Sequence, residues 1–388
     1  MMHDTDSRAP RVAVAGLSAR LLAQSAARAG FDVVALDIFG DRDTREAAAM
    51  WFDIGGNGLS IDRARLYEAL ESAARLPRML GLVVTSGLES MTGELSRAPR
   101  VPRFIGNGAQ SQAVRDPRRF FALLDEAEIA HPEVCFIAPA VRSGWLVKRA
   151  DGCGGTHIER FENARNVSEN AYFQRLAQGR SYSALFLAAH REVCVVGFAE
   201  QLSVQAGDLP FVHAGSIGPV DLPARAAERI GRAIEHIVWK TDLTGLNSID
   251  FLLDGESVSV LEINTRPSST MALYEAAWPD IWPRGLIGAH LDACLHGVLP
   301  QALHTAMQTP PIRAGQRIVF SPTSFTVSRT FSDACFNDPN CHDVPIAGAR
   351  IEAGCPVCTV SATASTIDAL RLKLDDEHVN LLQRIEAG

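Results

Sequence analysis

The stretch that most constrains how this chain can fold is residues 247–270, Asn-Ser-Ile-Asp-Phe-Leu-Leu-Asp-Gly-Glu-Ser-Val-Ser-Val-Leu-Glu-Ile-Asn-Thr-Arg-Pro-Ser-Ser-Thr. Two β-type runs flank a turn. Asp250, Glu262 and Asn264 sit in runs otherwise rich in Ile, Phe, Leu and Val, and Arg266 follows at the exit. Burying carboxylates in an apolar hairpin is costly unless something pairs with them. A divalent cation supplies the pairing, because hard cations such as Mg²⁺ are held by oxygen ligands and substrate phosphates. Side chains alternate faces along a strand, so Glu262 and Asn264 share one. With Asp254-Gly255-Glu256 as a three-residue loop, Leu253 pairs with Ser257 and Asp250 with Val260. Glu262 is then a diagonal neighbour of Asp250 on the same face.

The length of 388 residues allows two or three domains. Composition, 47% hydrophobic and 21% charged, is that of a globular chain. A net charge of −8 with no long basic run argues against nucleic-acid binding. No run approaches the ~20 apolar residues of a membrane span. The polar first ten residues give no reason to expect a signal peptide. Eight scattered cysteines favour a reducing, cytoplasmic setting over a disulfide framework.

Residues 11–16, an apolar run, read as a buried strand. An Ala-rich helix over 18–29 ends at Gly30, and a second strand follows over 31–36 with Asp37 at its end. The intervening turn, Gly-Leu-Ser-Ala-Arg, lacks the dinucleotide-binding glycine fingerprint, so a structural α/β domain is the preferred reading. Strands over 80–85 and 103–105 complete a small doubly wound domain ending near Asn107. Asp116-Pro117 then opens a helix in the favoured cap order, with Phe120, Leu123 and Leu124 as its apolar face.

Residues 144–155 carry Lys148 into a loop with Gly152, Gly154 and Gly155. Glycines let backbone N–H groups approach phosphate oxygens, and a lysine adds a point charge. A plain hairpin turn with a surface lysine fits the residues equally well. Strands over 172–176, 183–188, 192–198 and 211–216 predict an antiparallel sheet, and residues 223–241 an amphipathic helix. Hydroxyls at Ser268, Ser269 and Thr270 are placed to cap a helix starting at Met271, and capping is preferred there over anion binding. A core-like helix follows over 286–296. From residue 309 the texture becomes short strands among Pro and Gly turns, with a closing helix over 366–386. Cys355-Pro-Val-Cys358 has a zinc-site spacing, but Cys335 and Cys341 are six apart, so reduced structural cysteines are preferred to a zinc site.

Taken in order, the α/β opening, Lys148 with its glycine loop, the antiparallel strands and Asp250…Glu262-Ile-Asn264-Thr-Arg266-Pro267 together resemble the ATP-grasp superfamily over about residues 10–360. The resemblance implies a mixed α/β and α+β ATP-grasp fold. It divides into an N-terminal doubly wound domain (1–107), nucleotide-binding and catalytic lobes (108–308) and a small β-rich C-terminal domain (309–388). It implies ATP held between two lobes, Mg²⁺ (or Mn²⁺) on Asp250, Glu262 and Asn264, Lys148 on the phosphates, and the glycine loop over the γ-phosphate. Gln174, Arg175, Leu176 and Ala177 fall at the adenine hinge. Arg266 would stabilise the transferred phosphoryl group or an oxyanion; a salt bridge to a neighbouring carboxylate is its other reading.

The chain departs from the family pattern twice. Asp116-Pro117-Arg118-Arg119 stands where the first ATP lysine usually lies, and residues 179–183 lack the acid that often holds the ribose. The implied reaction is an ATP-dependent carboxylate–amine ligation through an acyl phosphate, on small-molecule substrates, with a homodimer allowed. A carboxylase using carboxyphosphate and a non-catalytic nucleotide binder are the alternatives. Gly16-Leu-Ser-Ala-Arg20, Leu36-Asp-Ile-Phe-Gly-Asp41 and Gly354-Cys-Pro-Val-Cys-Thr359 resemble a subgroup of predicted carboxylate–amine ligases associated with one-carbon cofactors of the methanofuran and tetrahydromethanopterin type.

Overall fold

The structure, a computed structural model, describes residues 9–56, 59–300 and 310–387. The expected boundary at 308/309 lies outside them. Strands β1 (Arg11–Ala15), β2 (Asp32–Asp37), β3 (Met50–Asp53) and β4 (Met79–Val84) form a parallel sheet in the order β3-β2-β1-β4. The continuous apolar runs of β1, β2 and β4 suit a sheet buried on both faces. Val12 and Val14 pack under helices Arg20–Arg28 and Gly285–His296, while Ala13 and Ala15 pack under helix Arg63–Ala74. The sequence misses β3 and helix Arg63–Ala74. The run at 103–105, expected as a strand, makes only one bridge, Phe104 to Leu82.

A small antiparallel sheet follows, β5 (Val134–Cys135), β6 (Trp145–Arg149), β7 (Ile158–Arg160) and β8 (Ala171–Arg175), ordered β5-β8-β6-β7. The sequence reading grouped the strand at 172–176 with the three after it. Instead its Phe173 joins Trp145, Val147 and Phe161 in a separate small core, which ties β8 to the Lys148 strand.

The largest sheet holds β9 (Arg180–Ala189), β10 (Glu192–Ala206), β11 (Leu209–Gly218), β12 (Gly245–Asp254), β13 (Ser257–Asn264) and β14 (Arg313–Phe320). After β15 (Phe325–Thr326) come β16 (Cys341–His342), β17 (Arg350–Ile351) and β18 (Pro356–Ala364). β15 pairs with β17, and β16 and β18 extend the large sheet beyond β14, giving the order β13-β12-β9-β10-β11-β14-β18-β16. Helix Ala224–Thr241 packs Ile230, Ile234, Ile237 and Val238 against Phe186, Ile249 and Phe251. That burial pins the far face of the hairpin strands, so the polar residues of β12 and β13 face the small sheet. Among the described residues no helix is long and apolar enough to cross a membrane.

Candidate active site

The hairpin reaches its polar face by a route the sequence did not reveal. Its turn is two residues, Gly255-Glu256, because Asp254 pairs with Ser257. Gly255 has φ +58°, a left-handed value that glycine adopts without strain, as the first position of such a turn demands. That register alone would set Asp250 opposite Leu261 and turn Glu262 to the other face, since a one-residue slip flips side chains. A β-bulge corrects it. Phe251 pairs with Val260, and the next pair is Asp250 with Glu262, leaving Leu261 as the extra residue. The three-residue loop is therefore wrong, while the shared face it was meant to explain is present.

Asp250 is buried, and its Oδ1 accepts from Gln201 Nε2 at 2.8 Å. Its Oδ2 accepts from Asn264 Nδ2 at 3.1 Å. Burial, then the charge of Glu262, pushes the Asp250 carboxyl up to about 7. Burial acts on Glu262 in the same direction, but Lys148, His157, Arg115 and Arg266 outweigh it and hold that carboxyl below its ordinary value. Two opposed carboxylates, Asp250 buried and Glu262 half-buried, form a donor set that suits a divalent cation. Asn264 turns its amide nitrogen to Asp250 and its Oδ1 to Arg266 Nη2, 3.5 Å away.

Lys148 is buried in β6, and its Nζ donates to Gln174 Oε1 at 3.2 Å. Burial alone would favour its neutral form, but the Tyr172 hydroxyl, Glu262 and Asp250 more than offset that and raise its pKa. The surface-lysine reading is thereby excluded. Gln174 Nε2 is buried without a partner, which leaves a donor for a ligand. Of the other hinge residues, exposed Arg175 sits over the Trp145 ring at 5.3 Å, and Leu176 N–H donates to Gly144 at 2.9 Å. Ala177 contributes no polar side chain.

The glycine loop lies over the carboxylates. Gly152 and Gly154 line a cleft of about 60 Å³ with Arg115, Tyr172, Glu262 and Asn264. Gly155 turns away onto β11. A Cβ there would lie 1.8 Å from the Phe211 carbonyl oxygen, at φ +75°, so only glycine fits. His213 N–H on β11 donates to Gly154 at 3.0 Å and fastens the loop further.

Arg266 Nε donates to Glu89 Oε1 at 2.6 Å. Glu89 lies in the turn after β4, so this pair joins the parallel sheet's domain to the exit of the hairpin. The two side chains are 11% and 5% exposed, which makes the pair effectively buried. Burial raises the Glu89 pKa, but Arg266 and Arg115 dominate and lower it. The salt-bridge reading of Arg266 is therefore observed, and the bridge leaves the guanidinium beside Asn264. The Ser268–Thr270 hydroxyls do not cap the following helix, Met271–Ala277. Its first N–H donates to the Ser268 carbonyl instead.

Glu89, Arg115, Tyr172, Gln201 and His213 escaped the sequence reading. Arg115 could have been found, since it immediately precedes the Asp116 helix cap that the sequence marks. Glu89 carries no local signal, because its partner is 177 residues away.

A second cavity, of about 570 Å³, opens next to this cleft along Pro267, Ser268 and Ser269. Leu17, Leu21, Phe39, Ile318, Ile346 and Val357 make it largely apolar. Arg20 crosses one wall, donating through Nε and Nη2 to both Asp343 oxygens at 2.7 and 3.1 Å. Asp41 lies there too, its carboxyl raised well above the ordinary value by burial and then by Asp343, Asp43 and Asp37.

The ATP-grasp domain family matches residues 114–270. No curated protein matches the sequence. Among solved structures, an L-amino acid ligase from Bacillus licheniformis superposes with a TM-score of 0.71 at 13% identity, covering 95% of this chain and 97% of that one. The biotin carboxylase domain of 2-oxoglutarate carboxylase from Hydrogenobacter thermophilus, in complex with MgADP and bicarbonate, gives 0.70 at 14% identity, over 94% and 88%. Carboxyaminoimidazole ribonucleotide synthase from Aspergillus clavatus, complexed with ATP, gives 0.69 at 14% identity, over 97% and 99%. The polar hairpin, the buried lysine and the glycine loop therefore lie in a chain that carries the ATP-grasp fold, with an ATP-grasp domain at residues 114–270.

Proposed function

We propose that this protein is an ATP-dependent carboxylate–amine ligase. The observation that carries the reading is the opposition of Asp250 and Glu262 across a bulged hairpin, with Arg266 two residues beyond Asn264 and Lys148 buried beside them. Asp250, Glu262 and Asn264 would hold Mg²⁺ or Mn²⁺, which would offset the negative charge developed in phosphoryl transfer. Lys148 would bind the phosphates as a fixed positive charge. Gly152 and Gly154 would offer backbone N–H groups to the γ-phosphate and exclude water. Gln174 would orient Lys148 and, with residues 175–177, border the adenine. Arg115 is a candidate for the role of the family's first lysine.

A substrate carboxylate attacks the γ-phosphorus, ADP leaves, and an acyl phosphate forms. The amine then adds to its carbonyl, phosphate departs and the amine loses a proton. Arg266, held by Glu89, stabilises the negative charge on the phosphoryl or tetrahedral oxygens. A cleft of about 60 Å³ cannot admit a nucleotide, since ligand sites run to roughly 300–1,000 Å³. The small sheet must swing away from the large one for ATP to enter.

The adjoining chamber supports ligation of organic substrates over capture of bicarbonate alone. Its volume of about 570 Å³ suits a molecule with an apolar body, and Asp41, crowded by neighbouring carboxylates, suits a cationic amine. The three segments that resemble the one-carbon cofactor subgroup, 16–20, 36–41 and 354–359, all contribute to its wall. That convergence supports a substrate particular to the subgroup, and a glutamate-type ligation for a one-carbon cofactor is the first to try. The eight unpaired cysteines support a reducing, cytoplasmic setting. The test is phosphate release from Mg-ATP across a panel of carboxylates and amines, with mass detection of the product. Turnover that needs bicarbonate and no amine would favour the carboxylase.

A further inference from the structure

Three thiols far apart in sequence meet at one point of the C-terminal region. Cys335 ends the second turn of helix Arg329–Phe336, Cys341 opens β16, and Cys358 lies in β18. Cys341 pairs with Val360, which puts it on the same face of the sheet as Cys358, two residues back. The helix lowers Cys335 onto that face. All three sulfurs lie within 4.8 Å of one another, so an ion at their centre would stand no more than about 2.8 Å from each, against ~2.3 Å for a Zn–S bond. A slight contraction closes the difference.

The surroundings separate this cluster from ordinary buried cysteines. The three residues are 0%, 7% and 2% exposed, enclosed by Val319, Phe331, Val344, Val360 and Leu381. Arg384, from the closing helix Ile367–Ala387, donates to Asp338 Oδ2 at 2.7 Å and places its charge beside Cys335. The guanidinium serves Asp338 first, and its place beside Cys335 also favours the thiolate form that a cation requires. The Cys355-x-x-Cys358 spacing plays no part, because Cys355 lies outside the cluster.

We propose that Cys335, Cys341 and Cys358 bind one thiophilic cation as a structural centre, either Cu⁺ on the three thiolates alone or Zn²⁺ with a water in the fourth position. Binding releases the thiol protons and ties helix 329–336 to β16 and β18, behind the chamber wall to which Cys358 belongs. The centre is independent of the proposed ligase chemistry.

The full-length chain should be purified under reducing, anaerobic conditions after growth with added zinc or added copper, and its metal measured by mass spectrometry. About one ion per chain is expected, whichever metal it is, and Cys335→Ser and Cys358→Ser should reduce it to below about a tenth. Cys355→Ser should leave it unchanged. If the serine variants fail to fold, the wild-type protein loaded with Co²⁺ should still display thiolate-to-metal charge-transfer absorption. Reduced wild-type protein that holds neither metal after reconstitution overturns the proposal, as does a disulfide between any two of the three.

Discussion

The polar cleft at the hairpin and the chamber beside it are built on opposite plans. The cleft is small and polar, and Lys148, Asp250 and Glu262 stand on strands of two sheets. The chamber is nearly ten times larger, mostly apolar, and assembled from segments more than 300 residues apart. Strands fix side-chain positions through register and burial, so a charge carried on them stays where the chemistry needs it. Loops between domains can vary without disturbing the sheets beneath. Under the proposed function, the contrast assigns the reaction to the cleft and the identity of the substrate to the chamber.

The largest effect expected from breaking this division is in the cleft. Glu262→Gln should lower Mg-ATP turnover by about 10²–10³-fold or more while the protein remains folded at the assay temperature. Turnover at the wild-type rate would remove the carboxylate pair from the mechanism.

Next comes the pair that links the two domains. Arg266→Met or Glu89→Leu alone leaves a buried charge without its partner and should destabilise the protein by about 3–5 kcal/mol. The double variant should recover much of that loss in denaturant titration. Additive losses would mean the two residues act separately.

A third effect depends on pH. The Asp250 carboxyl titrates near 7 when folded and in the ordinary range when unfolded, so the folded state binds the extra proton between those values. Without a divalent cation, stability should therefore fall as pH rises through that window. Added Mg²⁺ should raise the unfolding temperature more at about pH 8 than near pH 6, and Asp250→Asn should abolish the difference. Equal shifts at both pH values would argue against cation binding at this carboxylate.

The smallest effect sharpens the comparison from the other side. Phe39→Ala removes apolar contact from the chamber and should raise the KM of the amine about tenfold, with that of ATP unchanged. A matching rise for ATP would mean that the two cavities are not separate in function.

Legibility in the sequence followed the same division. The hairpin could be read because its carboxylates interrupt apolar strands, an anomaly visible locally. Its register could not, because Leu261 is an ordinary apolar residue and nothing in its type announces a bulge. Lys148 and its glycines left open a surface turn, and only the burial of Lys148 against Gln174 decided the question. The parallel sheet was recognised from continuous apolar runs, but β3, Met-Trp-Phe-Asp, is short and partly exposed and gave no such run. Glu89 and the chamber were out of reach, since each is defined by contacts between distant segments. The cysteines misled in an instructive way. The recognisable spacing, Cys355 to Cys358, is split by the fold, and the thiols that meet have no regular spacing at all.

The central claim is that a carboxylate is phosphorylated at this hairpin before an amine displaces the phosphate. It is tested most directly by following oxygen. Amino acids labelled with oxygen-18 in their carboxylates would be incubated with the enzyme, Mg-ATP and the amine that supports turnover, free of bicarbonate, and the released phosphate analysed by mass. Ligation through an acyl phosphate transfers one labelled oxygen to each phosphate, with ADP as the other product. Unlabelled phosphate, or AMP and pyrophosphate in place of ADP and phosphate, would contradict the account.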